Sequence, residues 1–418
     1  MTPGRRARRV LLLEAWVAAG EDLLRAAAAL GVEAYVATHE DVHATHYGPE
    51  LTELISGVAF TDFGDTAAAL DDLTAFCRAR RIDGVVACWE FLSPVAALLA
   101  ARLGLPGHDP DRAAACRNKR LMAEVFAAHG VPAPRTVTAA DHRTLARRAE
   151  AAGIGFPLVV KPAENAASIG VTVVTSAEGL PAAARLAGSE THKPSHGIPL
   201  DTTLLAQEYV EGDEFSVETV LTRGEVHHLV VTEKFTTRDA SRAETGHTVP
   251  ARLPADVRAA VLTAATRAAT ALGLRDGVAH TEVKVDGRGR PHVIEVGARP
   301  PGDGIMRLVA EATGIDQARA YLMTALGERP DLTPRRERAA AVRFLTAPHA
   351  GTLTRVEGLP RGDHVVSTGL LKRPGDPVGD PRDNLQRIGH LMVRAGTARA
   401  ANRAADEALD AVTVEVSP

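Results

Sequence analysis

The chain is poor in cysteine, poor in aromatic residues and nearly balanced in charge, and each shortage excludes something. Its three cysteines, Cys77, Cys88 and Cys116, stand far apart and form no C-x-x-C pair. That excludes a disulfide scaffold and a cysteine-rich zinc module, and it suits a reducing cytoplasm. Aromatic residues are 4% of the 418, so the core must be built from Ala, Val and Leu. Lys and Arg number 48 against 52 Asp and Glu, a formal net charge of −4. Such a balance leaves no basic footprint for nucleic acid and no acidic tail. No apolar run approaches the ~18 residues of a membrane span. The nearest, Val85 to Leu103, contains Glu90, Pro94 and Arg102. G-x-x-x-x-G-K-[ST] and G-x-S-x-G are both missing, and no G-x-G-x-x-G follows the first strand. A P-loop NTPase, an α/β-hydrolase and a dinucleotide site are therefore not signalled.

What is present is alternation. Val10–Leu13 reads as a short buried strand behind Arg5, Arg6, Arg8 and Arg9. A basic start before an apolar run also describes a secretory leader. Glu14 ends the run after four residues, so a first strand after a frayed basic start is the better reading. Glu21–Leu30, Ala67–Arg80 and Pro94–Leu103 read as helices, and Val32–Ala37 and Gly84–Cys88 as strands. This order predicts a parallel, doubly wound sheet. Asp111–His129 reads as one helix, and Pro132 and Pro134 after it look like a domain boundary. Leu158–Lys161 and Val171–Thr175 are expected strands around the loop Ala163–Gly170, followed by a helix, Ala177–Leu186. Gly188–Asp201 reads as an exposed loop and Phe235–Pro250 as a polar, irregular stretch. Thr203–Tyr209, Glu214–Leu221 and Glu225–Val231 suit an antiparallel sheet, and Asp256–Leu272 an Ala-rich helix. Ala279–Val285 and His292–Val296 pair through a tight turn at Asp286-Gly-Arg-Gly289. Ile305–Thr313 is helical. From Ala339 the pattern is strand-rich, closing with a helix and a strand.

Three stretches carry chemistry. Glu282 and Glu295 lie 13 residues apart inside apolar runs on the two expected hairpin strands. A carboxylate inside a strand is costly unless paired or bound to a cation. Two of them side by side suit a hard divalent ion such as Mg²⁺, which uses one or two carboxylates plus phosphate oxygens. The alternative is an edge hairpin with both acids in solvent. Lys161 ends an apolar strand before a small-residue loop containing Ser168 and Gly170, which lets backbone N–H groups approach an anion. An exposed hairpin lysine is the plainer reading of that stretch alone, as a surface helix lysine is of Lys119. Gln207 to Glu218 is a strand, a turn at Glu211-Gly212-Asp213 and a second strand. Such a hinge offers backbone groups to a planar base and a carboxylate to a ribose.

In this order, Lys119, Lys161-Pro162, Glu208-Tyr-Val-Glu-Gly-Asp-Glu214, Glu282, Glu295 and Arg299 resemble the landmarks of the ATP-grasp superfamily over essentially the whole chain. His280-Thr-Glu-Val-Lys284 and Ile294-Glu-Val-Gly-Ala-Arg-Pro300 look most like the L-amino-acid ligases that make dipeptides and peptide antibiotics. The resemblance implies a multidomain α/β and α+β fold. A Rossmann-like pre-ATP-grasp domain would span 1–112 and an ATP-grasp region 113–335, with its lid at about 150–208. A β-rich C-terminal segment like that of biotin carboxylase would span 336–418. It implies ATP and Mg²⁺, two ions with Mn²⁺ as a substitute. It also implies amino-acid or peptide-like substrates, no nucleic-acid or membrane partner, a homodimer as the assembly to test, and a cytoplasmic setting.

Carried over residue by residue, the resemblance gives Lys119, Lys161, Ser168 and Gly170 to the phosphates. Glu208, Tyr209 and Val210 go to adenine and Glu214 to ribose. Glu282 and Glu295 hold the metal. Arg299 stabilises the acyl phosphate, with His247 as a base or a contact. Glu90, Glu244, His247, Arg299, Gly302 and Asp303 line the substrate pocket. Asp303 can instead cap the helix after Gly304, and Glu90 can cap the turn after its strand. Many relatives have Asn where this chain has Gly297, so water or phosphate must complete the metal shell. Carboxylation, a purine-type ligation with another acceptor, and nucleotide binding without catalysis remain as rival functions. His39-Glu-Asp-Val-His43 matches the zinc-protease signature H-E-x-x-H. That signature needs a helix, and here it is expected in a turn region with exposed histidines.

Overall fold

The computed structural model describes residues 6–16, 18–237, 243–380 and 384–418. Near the N-terminus, β1 (Arg9–Leu13), β2 (Glu33–Thr38), β3 (Gly57–Phe60) and β4 (Gly84–Ala87) form a parallel sheet in the order β3-β2-β1-β4. Val10 to Leu13 are fully buried, as befits a parallel strand covered on both faces. Helices Ala18–Leu30, Thr66–Arg80 and Ser93–Leu103 supply the covers. The basic start is held rather than frayed: Arg6 and Arg8 pair with Asp83, and Arg9 with Glu33. Arg5 lies outside the described residues.

A second sheet is built from β5 (Thr136–Ala139), β6 (Leu158–Pro162), β7 (Thr172–Val174) and β10 (Leu204–Glu208), in the order β5-β10-β6-β7. A short hairpin, β8 (His192–Lys193) and β9 (Ile198–Pro199), precedes β10. Here the expectation of an exposed loop over 188–201 fails. Ile198 and Leu200 join the core of the N-terminal sheet, and His196 is 2% exposed.

The largest sheet runs β15-β14-β11-β12-β13-β16-β20-β18. Its strands are β11 (Gly212–Thr222), β12 (Glu225–Thr236), β13 (Glu244–Val249), β14 (Gly277–Asp286), β15 (Pro291–Gly297), β16 (Ala339–Thr346), β18 (Val365–Leu370) and β20 (Arg387–Ala395). The C-terminal strands thus continue the central sheet: β16 pairs with β13. A smaller sheet of β17 (Gly351–Glu357), β19 (Pro377–Val378) and β21 (Thr413–Ser417) lies beside the helix Ala398–Asp410. One face of the central sheet is apolar. Phe215, Val217, Val283 and Val293 pack with Val261, Ala264, Ala265 and Ala268 of the helix Ala255–Ala271. Alanines bring that helix close to the sheet, which is how a core so poor in aromatics closes.

Three further expectations change. The stretch 111–129 is a 3₁₀ turn, Pro110–Cys116, and then a helix, Lys119–Ala128. Asn118 restarts it, its side chain accepting from the N–H groups of Arg120 and Leu121. Phe235–Pro250 is not irregular, since β12 runs on to Thr236 and Glu244–Val249 is an interior strand; residues 238–242 lie outside the described set. Finally, Glu40–His46 is a helix rather than a turn. His39 only caps it, by accepting from the Asp41 N–H, and His43 stacks on Tyr47.

Candidate active site

A cavity of about 440 Å³ opens between the β5-β10-β6-β7 sheet and the polar face of the central sheet. That face follows from the period-2 alternation of strands. Phe215 and Val217 point to the core, so Glu214, Ser216 and Glu218 point the other way. On β14 the same phase exposes His280, Glu282 and Lys284 to the cleft side. β14 and β15 place Glu282 opposite Glu295 in register. β11 begins at Gly212, with φ +144, where an added Cβ would meet Val285 O at 2.0 Å. Only glycine lets the hinge strand come this close to β14.

The structure brings most of the expected residues to one cavity, from both sheets and from the helix Lys119–Ala128. Lys119, Lys161, Ser168, Glu208, Tyr209, Val210, Glu214, Glu282, Glu295 and Arg299 line the cavity, as do Glu90, Glu244, Gly302 and Asp303. Gly170 is not on the lining. Its φ of +77 closes the loop, and a Cβ there would crowd Ala187 and Pro162. Glu208 turns its carboxylate outward to Arg135, at 3.0 Å, and its N–H donates to Arg135 O at 2.9 Å. His247 is also off the lining: it is fully buried, and its Nε2 bonds Asp303 Oδ2 at 2.9 Å.

Lys119 is the first residue of its helix and is 9% exposed, not a surface lysine. Its Nζ lies 2.9 Å from Glu295 Oε1 and donates to Asn165 O at 2.7 Å. Burial works against its charge, but Glu295, with Glu90 and Glu282, outweighs this and raises its pKa. Lys161 donates to Gln207 Oε1 at 2.9 Å. Burial, the largest influence, lowers its pKa to about 8. Glu282 is pulled well below the usual carboxylate range, because Lys234 and His280 outweigh its desolvation. Behind it, buried Glu218 bonds His280 Nδ1 at 2.9 Å and accepts from Ser216 and Thr232. Burial opposes the imidazolium, yet Glu218 and Glu282 lift its pKa to about 9.

The donor set fits a hard divalent cation: two acidic oxygens sources face each other across one hairpin on the cavity wall, beside lysines placed for phosphate. Gly297 is explained by its neighbour. A Cβ there would sit 3.1 Å from Glu90 Oε2, so an Asn side chain would displace Glu90. Glu90 instead accepts from Arg299 Nε at 2.5 Å, and its Oε1 is buried without a partner. Burial again opposes the Arg299 charge, and Glu90, Glu295 and Glu282 raise its pKa.

At the far end Asp303 binds His247 and also Arg387, at 2.6 Å. It does not cap the following helix, which starts after Gly304 with no side-chain cap bond, since His247 and Arg387 take its carboxylate. Its φ of +60 is unusual for a residue with a Cβ. Among the described residues, Glu244, His247 and Asp303 are the one group of three or more His, Cys, Asp or Glu whose donor atoms are close enough for a metal. Lys234 and Arg387 already neutralise it.

Several residues on or beside the wall escaped the sequence reading: Lys234, Glu218, His280 as a partner of Glu218, Gln207, Trp89, Asn384 and Arg387. The alternating polar positions 214, 216 and 218 against 280, 282 and 284 were the available signal for Glu218 and His280. Nothing local marks Asn384 or Arg387, which come from the C-terminal part of the chain, in the 3₁₀ turn Asn384–Gln386 and at the start of β20.

Comparison with known proteins gives the family and the fold. The family model for the ATP-grasp domain matches residues 154–306, that for the ATP-grasp N-terminal domain 24–107, and that for L-amino acid ligase C-terminal domain 2 343–417. D-alanine–D-alanine ligase of Gloeobacter violaceus is 32% identical over 223 residues, 51% of this chain and 70% of that protein. Carnosine synthase 1 of Gallus gallus is 30% identical over 321 residues, 73% of this chain. The match spans only 34% of that longer protein. In fold, the L-amino acid ligase of Bacillus licheniformis superposes with a TM-score of 0.84 at 24% identity, covering 99% of this chain and 100% of the other. The chain belongs to the ATP-grasp family of ligases, and its fold is that of an L-amino-acid-ligase-like member. Among the described residues no helix is long and apolar enough to cross a membrane.

Proposed function

We propose that the chain is an ATP-dependent ligase that joins an amino-acid or peptide-like carboxylate to an amine, releasing ADP and phosphate. The supporting observation is that Lys119, Lys161, Glu282, Glu295 and Arg299 line one cavity between the two sheets.

The chemistry needs that set. A carboxylate is a poor electrophile and does not condense with an amine at neutral pH. One of its oxygens attacks the γ-phosphorus of ATP and ADP leaves. The amine then attacks the acyl phosphate, loses its proton, and phosphate departs with the oxygen that attacked. Glu282 and Glu295 would hold one or two magnesium ions, which when bound would supply neutralisation of the transferring phosphoryl group. Lys119 and Lys161 hold the nucleotide phosphates, and Tyr209 and Val210 with Glu214 seat the nucleoside. The loop through Ser168 covers the phosphates and keeps water from the activated acid. Arg299 stabilises the oxyanion that develops at the carbonyl. Glu90 orients Arg299 and offers its second oxygen to a substrate ammonium. His247 acts through Asp303, as it is not on the wall. Trp89, Pro300, Pro301 and Ile305 give this end an apolar lining.

A mass-spectrometric survey of products from pooled amino acids, ATP and Mg²⁺, with phosphate release measured alongside, tests the proposal. We expect amide products in step with phosphate. Bicarbonate-dependent turnover without an amine would replace ligation by carboxylation, and nucleotide binding without any turnover would remove catalysis.

A further inference from the structure

One buried ammonium sits where the three parts of this cleft meet. The Lys234 side chain is 1% exposed, and its Nζ lies 2.6 Å from Glu244 Oε1, 2.6 Å from Glu282 Oε1 and 3.4 Å from Glu214 Oε1. Strand register puts it there. β12 lies between β11 and β13, and Lys234 is opposite Glu214 on one side and His247 on the other. Glu282 belongs to the cation site, Glu214 to the nucleotide end and Glu244 to the substrate end. Burial opposes the charge, but Glu244, Glu282 and Glu214 together hold the pKa of Lys234 well above its ordinary value. Glu244 is pinned from the C-terminal part of the chain, by the 3₁₀ turn Asn384–Gln386 and the start of β20. Asn384 accepts its N–H at 3.0 Å and donates to its carboxylate at 2.8 Å, and Arg387 lies 3.3 Å from the same carboxylate.

We propose that Lys234 is a positioning residue that couples the substrate wall to the divalent-cation site through its shared hold on Glu244 and Glu282. This rests on the reading of Glu282 as a cation ligand. An ammonium between two carboxylates divides its field and its hydrogen bonds between them. When Glu244 is neutralised or drawn away, more of the lysine's charge bears on Glu282, and a dication there is held less tightly. By linkage, occupation of the cation site changes the substrate wall equally. The route from Asn384 and Arg387 to the phosphates then runs through a single side chain.

The test is a double-mutant cycle read by calorimetric titration of Mn²⁺–ADP into the full chain. In the wild-type background Glu244→Gln should weaken binding about five-fold or more, the low end of ordinary coupling between linked sites. In the Lys234→Met background the same change should shift binding by less than about two-fold. Equal fold-changes in both backgrounds would overturn the coupling. Asn384→Ala gives a second arm that adds and removes no charge. It releases Glu244 and should still shift Mn²⁺–ADP affinity by at least about two-fold. If Lys234→Met does not fold, an unchanged affinity in Asn384→Ala overturns the coupling by itself. Failure of the wild type to bind Mn²⁺–ADP would instead overturn the cation site, and the coupling with it.

Discussion

Arg299 and Gly297 show how closely single residues are bound to one another here. Glu90 takes the Arg299 Nε while Pro300 O takes its Nη1 at 2.9 Å, and a Cβ at position 297 would crowd Glu90 Oε2 at 3.1 Å. Arg299→Ala should cost about 10²–10³ in ligation rate, the usual loss for one oxyanion stabiliser, with circular dichroism unchanged; near-normal turnover would remove its assigned role. Gly297→Asn restores the amide many relatives carry, yet it should lower ligation by moving Glu90. Activity above wild type in that variant would contradict this. Lys161 adds a pH dependence. Its pKa of about 8 in the free protein means the ammonium is lost above that pH, so ATP binding should weaken as pH rises past 8. Lys161→Arg should move that limb upward, because a guanidinium stays charged; an unchanged limb in the variant would assign it to another group.

At the scale of elements, the hairpin β14–β15 and the nucleotide hinge β10–β11 were legible because two local signals agree there. Strand alternation and turn residues fixed both the pairing and the phase of the acids. The stretch 188–201 was not legible. Its Gly, Pro, Ser and His look like a loop, but tertiary contacts fold it into a hairpin whose Ile198 and Leu200 enter another sheet's core. β13 was missed for a similar reason: Glu244 is received by Lys234 of β12 and Arg387 of β20, and His247 by Asp303 before the helix Ile305–Thr313, which no local pattern reveals. Lys119 was undervalued because Asn118 breaks what reads as one helix, turning a mid-helix position into a buried first turn. The buried pair Glu218–His280 makes a prediction at this scale. The folded pKa of His280, about 9, lies above its ordinary 6.5. Its pairing therefore stabilises fully below 6.5 and fades as pH rises through 9. His280→Gln should melt well below wild type at pH 6, with a gap that narrows by about pH 9.5; a gap constant with pH would mean a neutral His280.

For the whole molecule, the cleft depends on three sheets keeping their places. The β8–β9 hairpin ties the small antiparallel sheet to the N-terminal one: His196 Nε2 meets Glu14 at 2.8 Å, and both side chains are wholly buried. Glu14 also accepts from Thr38 and Tyr47 at the carboxyl end of β1. Breaking a buried pair by removing one partner typically costs roughly 3–5 kcal/mol. We expect a loss of that order for His196→Ala in urea unfolding, and a loss below about 1 kcal/mol, the scale of an exposed pair, would show that the hairpin does not anchor the sheets. With the sheets held, the chemistry comes down to whether a carboxylate oxygen reaches the γ-phosphorus. The most direct measurement feeds amino acids labelled with ¹⁸O in the carboxylate and follows the label during ligation. One ¹⁸O in each released phosphate, in step with amide formed, is the expected result. Phosphate free of label while labelled amide accumulates would contradict activation through an acyl phosphate.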